Sequence, residues 1–264
     1  MRVLHISPTP SNYVGIYGEG VIESSYVIAA IEKENKERLE RAKGHVSSCA
    51  TQRNVPLDVK STIINDGKSN SATAEFVHLT GDVSGIIAQQ GRISDIIVVG
   101  RGVSEPNAAY DSTIMAALFE TARPVLLMPE GTSGKTAKWQ CKNISLAWDG
   151  GLEAARALYN ALPFLERADK LQLLTARGEG EASDLEAEEG VIKYLRCHNI
   201  HAVGIIVAEG SRSPAEALLA RAKELESDML VMGAYGHSRL REMILGGLTN
   251  DLLEKADIPL LLSH

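Results

Sequence analysis

Two stretches of this chain repeat one another, and a repeat restricts the fold more than any isolated motif, because each copy must build the same kind of unit. Asp95-Ile-Ile-Val-Val-Gly100 and Asp228-Met-Leu-Val-Met-Gly233 share an acidic residue, four apolar residues and a glycine. Each is followed by a helix-like stretch and a proline-led apolar run, Pro124-Val-Leu-Leu-Met128 in one copy and Pro259-Leu-Leu-Leu262 in the other, with Asp and Pro 29 and 31 residues apart. The apolar runs do not alternate with polar residues. That is the pattern of strands covered on both faces in a parallel sheet, and parallel strands need helical crossovers between them.

The second half supplies those crossovers in order. Strands are expected at Ile144–Trp148, Leu171–Leu174, Ala202–Val207, Met229–Met232 and Leu260–Leu262. Helices are expected at Leu152–Leu165, near Glu188–Cys197, at Pro214–Leu225 and at Leu248–Lys255. Ala154, Ala155, Leu158, Ala161, Leu162 and Leu165 recur at helical spacing and make one apolar face. Ser213-Pro-Ala-Glu216 reads as a capping box with proline at the first helical position. The fold class is therefore α/β, built as two doubly wound parallel five-stranded sheets. A chain of 264 residues with 44% hydrophobic and 23% charged residues has the length and apolar content for two domains. We place them at residues 1–130 and 142–264, joined by Glu130–Gln140, which is rich in Gly, Ser, Thr and Lys.

The first half is less regular. Arg2–Ser7 reads as a strand, and Val27, Ile28, Ile31, Leu39, Ala42 and Val46 line one face of a long helix whose charges from Glu32 to Lys43 alternate in sign on a solvated face. Two readings of this half stay open. Either its central strand and helix are absent, or Arg2–Ser7 is its first strand.

A net charge of -7 argues against nucleic acid as a partner, since phosphate backbones are repelled unless a local basic patch intervenes. Cys49, Cys141 and Cys197 are odd in number and far apart, so neither a disulfide framework nor a metal-binding pair is read from them, and they suit a reducing compartment. There is no apolar run of signal-peptide length before Pro8 and none of about 18 residues anywhere, so the expectation is a cytoplasmic protein without a membrane segment.

The segment with most chemistry in it runs from Gly233 to Thr249 and has the form G-x2-G-x9-G-G-x-T, directly after a strand and before a helix. Ligands of open α/β sheets bind beyond the carboxyl ends of the strands. Glycines there let backbone N–H groups approach phosphate oxygens, and a helix N-terminus adds unpaired donors and the positive end of its dipole. The bland alternative is that these glycines only turn the chain.

On these residues the chain resembles the universal stress protein family, whose nucleotide-binding members carry G-x2-G-x9-G-[S/T] at this place. The resemblance covers residues 142–264: Ile144-Ser-Leu-Ala-Trp-Asp-Gly-Gly151 looks like the family's first strand and turn, and Ile-Pro-Leu-Leu-Leu262 like its last strand. It implies a Rossmann-like fold of the adenine nucleotide alpha hydrolase-like kind, and a stress-related regulatory role. It also implies adenosine contacts at Ala147, Trp148, Asp149, Met232 and Gly233, and phosphate contacts at Gly236, Gly246, Gly247, Leu248 and Thr249. The implied ligand is ATP or another adenine nucleotide, with or without magnesium. Gly247 stands where ATP binders usually have Ser or Thr, which removes one hydroxyl donor. The first half carries the resemblance weakly: Val3-Leu-His-Ile-Ser-Pro-Thr-Pro10 is similar to the family's second strand and proline-rich loop, and the stretch after Gly100 lacks the spaced glycines. The halves are expected to pack as an intramolecular pseudo-dimer, with an unidentified protein partner and a further homodimer as additional options.

Other signals are weaker. Gly131-Thr-Ser-Gly-Lys-Thr136 has Pro129 where a P-loop needs glycine. Cys197-His-Asn-Ile-His201 lacks a second ligand cluster for zinc, and Glu179–Glu189 reads as a solvated acidic loop. No spacing assembles a nucleophile, a base and an orienting acid, so at most slow ATP hydrolysis is expected. Asp149 has a structural reading too, as a helix cap, and Trp148 another, as packing.

Overall fold

The computed structural model describes residues 1–9, 24–57, 72–100, 108–129, 139, 141–178, 185–234 and 256–264. They fall into two compact units, Met1–Ile87 and Ala88–His264.

In the first unit, β1 (Arg2–Pro8) and β2 (Glu75–Gly81) pair in parallel from Arg2↔Glu75 to Pro8↔Gly81. Between them in sequence lies α1 (Ser24–Gln52), which packs against β1. Ile28, Ile31, Leu39, Ala42 and Val46 are each partly buried on α1, with Asn35 and the buried Ala50 completing the same stripe. The side chain of Val27 lies outside the described residues. On the opposite face Glu34–Arg38 and Glu37–Arg41 are exposed i,i+4 ion pairs, worth a few tenths of a kcal/mol each at most. Asn35 donates to the Pro8 carbonyl at 3.1 Å, fixing α1 to the carboxyl end of β1.

His5 and His78 are direct partners across the two strands, with ring centroids 5.7 Å apart, and Ser7 Oγ lies 2.9 Å from His78 Nε2. Burial, then the charges of His78, Arg38 and Lys43, hold the His5 imidazole below its ordinary value of 6.5. The unfolded chain therefore takes up this proton first as pH falls. The stability contribution of neutral His5 is complete above 6.5 and is lost as pH drops toward the folded value. Urea unfolding followed across this interval should show stability falling with acidification, and the slope should flatten in His5→Asn.

The short α2 (Val83–Gly91) straddles the boundary between the units. In the second unit the strands are β3 (Ile97–Gly100), β4 (Val125–Met128), β5 (Asn143–Ala147), β6 (Lys170–Arg177), β7 (Ala202–Ala208), β8 (Met229–Gly233) and β9 (Leu260–Ser263). The helices are α3 (Ala108–Glu120), α4 (Leu152–Leu165), α5 (Leu185–Cys197) and α6 (Pro214–Glu224). One seven-stranded sheet runs β3-β4-β9-β8-β5-β6-β7. Every pairing is parallel except β4 with β9, where Val125 faces Leu262. No described helix is long and apolar enough to cross a membrane.

The α/β class and the mainly parallel sheet agree with the sequence reading, but the strands are distributed differently. Among the described residues the first half contributes two separate parallel pairs rather than a five-stranded sheet, β1 with β2 and β3 with β4, and the latter extends the second half's sheet through β9. The proposed helix at Leu248–Lys255 and nearly all of the Glu130–Gln140 linker lie outside the described residues, as does the P-loop-like stretch from Gly131 to Thr136.

The core of this unit is the interface of β5, β6 and β8 with α4 and α5, where Ile144, Leu146, Leu165, Leu173, Leu195 and Met229 are almost fully buried. The buried face of α4 includes Ala157 and not Ala155, which is exposed. The Ser213 capping box forms, with Glu216 N–H donating to Ser213 Oγ at 3.3 Å and Pro214 opening α6. Strand β6 runs three residues past Leu174, because its backbone stays paired to β7 as far as Arg177↔Ala208. Helix α5 begins at Leu185, so the last residues of the expected acidic loop are helical; Glu188 and Glu189 lie in its early turns, where negative charge is favoured. Glu188 is buried and pairs with Arg177 at 2.6 Å.

Asp228 ties the two repeat-defining features together. Its Oδ2 accepts from Lys142 N–H at 2.7 Å and Asn143 N–H at 2.8 Å, while its own N–H donates to the Asn143 carbonyl. Beside it, burial first and the Asp228 carboxylate second push the Cys141 thiol up to about 12. Such a thiol stays protonated and unreactive. A native thiol titration should therefore label the exposed Cys49 and Cys197 rapidly and reach the buried Cys141 only on unfolding.

Candidate functional site

Along the carboxy-terminal strands the order β9-β8-β5-β6-β7 reverses at β5: the chain leaves β5 toward β6 on one side and later returns to β8 on the other. At such a switch point the connections diverge above and below the sheet, and a crevice opens beyond the carboxyl ends of the two central strands. The first set of expected contact residues sits there. Ala147 ends β5 with Trp148 directly after it, and Met232 and Gly233 end β8, whose register Leu146↔Val231 places the strand ends side by side.

Each position has its own local cause. Trp148 N–H donates to the Leu174 carbonyl at 2.8 Å, prolonging the β5–β6 ladder, and its ring is partly buried against the core. Its Nε1 is buried with no hydrogen-bond partner among the described residues. A buried donor left unpaired costs roughly 1–3 kcal/mol, so this is a place where a polar ligand atom or a water gains. Thr175 follows Leu174, the partner of Ala147, and its hydroxyl is likewise buried without a partner among the described residues. Strand alternation places Trp148 and Thr175 on the same sheet face.

Asp149 is exposed and closes the turn, its Oδ1 accepting from Gly151 N–H at 2.8 Å. Gly150 takes φ +78, the left-handed conformation that glycine adopts without a Cβ penalty. Gly151 is the N-cap of α4 and offers no side-chain acceptor to the first turn. The amides of that turn therefore present the positive end of the α4 dipole at the strand ends. Gly233 lets this helix approach: a Cβ there would lie 2.6 Å from Ala154 N and 2.7 Å from Glu153 C. Glu153, in the same turn, is only 4% exposed. Past Gly233 the chain is anchored by Ala234 N–H donating to Ser263 at 2.8 Å and by the His264 ring at 3.0 Å from the Ala234 carbonyl.

The structure thus brings together Ala147, Trp148, Met232 and Gly233, with Asp149 at the rim. Gly236, Gly246, Gly247, Leu248 and Thr249 lie outside the described residues. Sequence reasoning missed Thr175, Glu153 and the buried Arg177–Glu188 pair. An isolated threonine or acid in an amphipathic stretch gives no sign of being turned inward; only the strand register and helix phase show it. Cys197 and His201, considered for zinc, are both exposed, and among the described residues no three His, Cys, Asp or Glu side chains gather as metal ligands.

Comparison with known proteins fits this layout. Residues 141–264 match the universal stress protein family model. A universal stress protein from Synechocystis sp. is 41% identical over 46 residues, covering 17% of this chain and 16% of that protein. The stress response protein NhaX from Bacillus subtilis is 36% identical over 58 residues, covering 22% of this chain and 34% of its own. The chain therefore matches only a minor part of either curated relative's length. Among solved structures, a universal stress protein from Archaeoglobus fulgidus superposes with a TM-score of 0.64 at 15% identity, over 99% of this chain and 84% of that one. A putative universal stress protein from Pseudomonas aeruginosa gives 0.51 at 15% identity, over 84% of this chain and 77% of its own. At these identities the structural likeness speaks for the fold. With the family match, the reversal at β5 and the glycine that admits α4, residues 141–264 are a domain of the universal stress protein family.

Proposed function

We propose that this chain is a tandem universal stress protein, a cytoplasmic regulator whose carboxy-terminal domain binds ATP or a related adenine nucleotide and whose occupancy alters the binding of a protein partner. The observation that carries the reading is the convergence of β5, β8 and the uncapped first turn of α4 at the switch point, with a buried Trp148 N–H that has no partner among the described residues. Ala147, Trp148, Asp149, Met232 and Gly233 would hold the adenosine. Gly236, Gly246, Gly247, Leu248 and Thr249 would hold the phosphates through backbone donors and the Thr249 hydroxyl. The donor set is suited to an anion, since amides and a helix dipole supply positive potential without a dedicated cation. Gly247 forgoes a hydroxyl that would contribute about 1 kcal/mol or somewhat more to a charged acceptor. No sequence pattern positions a water-activating base, so any hydrolysis is expected to be slow.

The test is a mass spectrum of small molecules released when the purified protein is denatured, which should contain an adenine nucleotide at near-stoichiometric amount. Gly236→Val should deplete it at unchanged fold. A protein that releases none, and shows no thermal shift with millimolar ATP and magnesium, contradicts the reading. Gly247 favours a second one, a partner-binding scaffold of the same fold without nucleotide. Under that reading Gly247→Ser would leave the empty protein empty, whereas a nucleotide binder should gain affinity.

A further inference from the structure

The residue that follows β9 touches both repeats. Strands β4 and β9 run antiparallel with Val125 opposite Leu262, so the end of β9 comes to lie beside the start of β4 and the end of α3 that leads into it. Phe119, in the last turn of α3, meets the His264 ring edge-on there, with ring centroids 4.4 Å apart and planes at 63°. The same ring has its Nδ1 3.0 Å from the Ala234 carbonyl. A carbonyl only accepts, so Nδ1 carries a proton in the neutral ring as in the charged one. Ala234, 5% exposed, is therefore held through both of its peptide groups: its N–H donates to the Ser263 carbonyl at 2.8 Å and its carbonyl accepts from His264. In sequence it directly precedes the segment that carries Gly236, Gly246 and Gly247.

The first repeat is built without these partners. Aligned on Pro124 and Pro259, it has Met128 and Pro129 where the second has Ser263 and His264, and neither side chain carries an N–H donor. The copy without the spaced glycines also lacks the histidine. We propose that His264 is a positioning residue for nucleotide binding, fastening the chain at Ala234 where it leaves β8, and that Phe119 brings the first repeat into this role by orienting the imidazole. The inference rests on the nucleotide reading above. A backbone fixed before the ligand arrives spares the cost of ordering it on binding, so loss of the fastening is felt as weaker affinity.

Calorimetric titration of the full chain with ATP and magnesium, paired with residue-resolved amide exchange of the nucleotide-free chain, tests this. His264→Ala should weaken ATP binding about fivefold and speed exchange at the Ala234 N–H. His264→Asn keeps an N–H donor at the δ position and should restore most of both. Phe119→Leu keeps an apolar side chain without the ring; it should weaken binding about threefold and have no further effect once His264 is alanine. Asn160→Ala is the control for lost stability, since it removes the 3.1 Å hydrogen bond from Asn160 to Ser263 Oγ without touching Ala234, and it should leave affinity unchanged. A parent chain that binds ATP while His264→Ala binds it equally well overturns the inference and leaves the nucleotide reading standing. Unchanged exchange at Ala234 in His264→Ala does the same, as does a loss of affinity that Asn160→Ala matches or that His264→Asn fails to relieve. A parent chain that binds no ATP overturns the nucleotide reading, and this role with it.

Discussion

Gly233→Ala should cost about 1–3 kcal/mol of stability and abolish nucleotide binding, although it adds a single methyl group. Gly233 does not need a left-handed backbone; it needs space. Its Cβ would stand 2.6 Å from Ala154 N, 2.7 Å from Glu153 C and 2.8 Å from Glu153 Cβ. Two of those three atoms are backbone of the first helical turn, so no rotamer change relieves the contact and α4 must move off the sheet. That movement would expose Ala154 and Ala157, which are 4% and 0% exposed, and withdraw the helix N-terminus from the crevice. The matched control is Gly100→Ala, where nothing lies within 4 Å and the change should stay within about 0.5 kcal/mol. Urea unfolding of the two variants measures both. Equal stabilities would mean that α4 does not approach β8 as closely as described.

Asp228→Ala should be more damaging still, at about 2–5 kcal/mol. Its carboxylate is the acceptor for two consecutive backbone N–H groups, Lys142 at 2.7 Å and Asn143 at 2.8 Å. Hydrogen bonds to a charged group contribute about 1.5–3 kcal/mol each, and donors left unpaired in a part-buried site lose that in full. Asp228→Asn keeps an acceptor without the charge and should recover part of the loss. Removing the carboxylate also removes the second cause of the raised Cys141 thiol, so Cys141 should react somewhat faster in Asp228→Ala while burial still protects it. Asp95→Ala is the control, with no partner to lose among the described residues. Chemical denaturation with thiol labelling checks both effects, and an Asp228→Ala chain as stable as the parent would mean that this carboxylate does not fasten the start of β5 to β8.

What the sequence could show depended on whether side chains or backbone carried the signal. The runs at Ile144, Leu171, Met229 and Leu260 identified their strands because both faces of each are covered, and the Ser213 box identified the start of α6 because capping uses particular side chains. The far end of β6 was missed because Thr175, Ala176 and Arg177 are held by backbone pairing to β7, which polarity does not report. The start of α5 was missed for a related reason: its acidic first residues are helical through the backbone, and Glu188 is turned inward to Arg177. Ala155 and Ala157 are indistinguishable by composition, and only the phase of α4 against β5 decides which is buried. The antiparallel meeting of β4 and β9 joins segments far apart in the chain, and no local pattern encodes it. At the site, Trp148 and Gly233 were legible from the strand–turn–helix resemblance, whereas the orphaned Thr175 hydroxyl appears only once the β5–β6 register is known.

Whether the crevice at the ends of β5 and β8 takes an adenine nucleotide is tested most directly by calorimetric titration of the full chain with ATP, with and without magnesium. Saturable binding of one nucleotide per chain is expected, lost in both Gly233→Ala and Gly236→Val. Absence of binding heat at millimolar nucleotide from protein first stripped of bound ligand, or binding that survives both glycine substitutions, would contradict it.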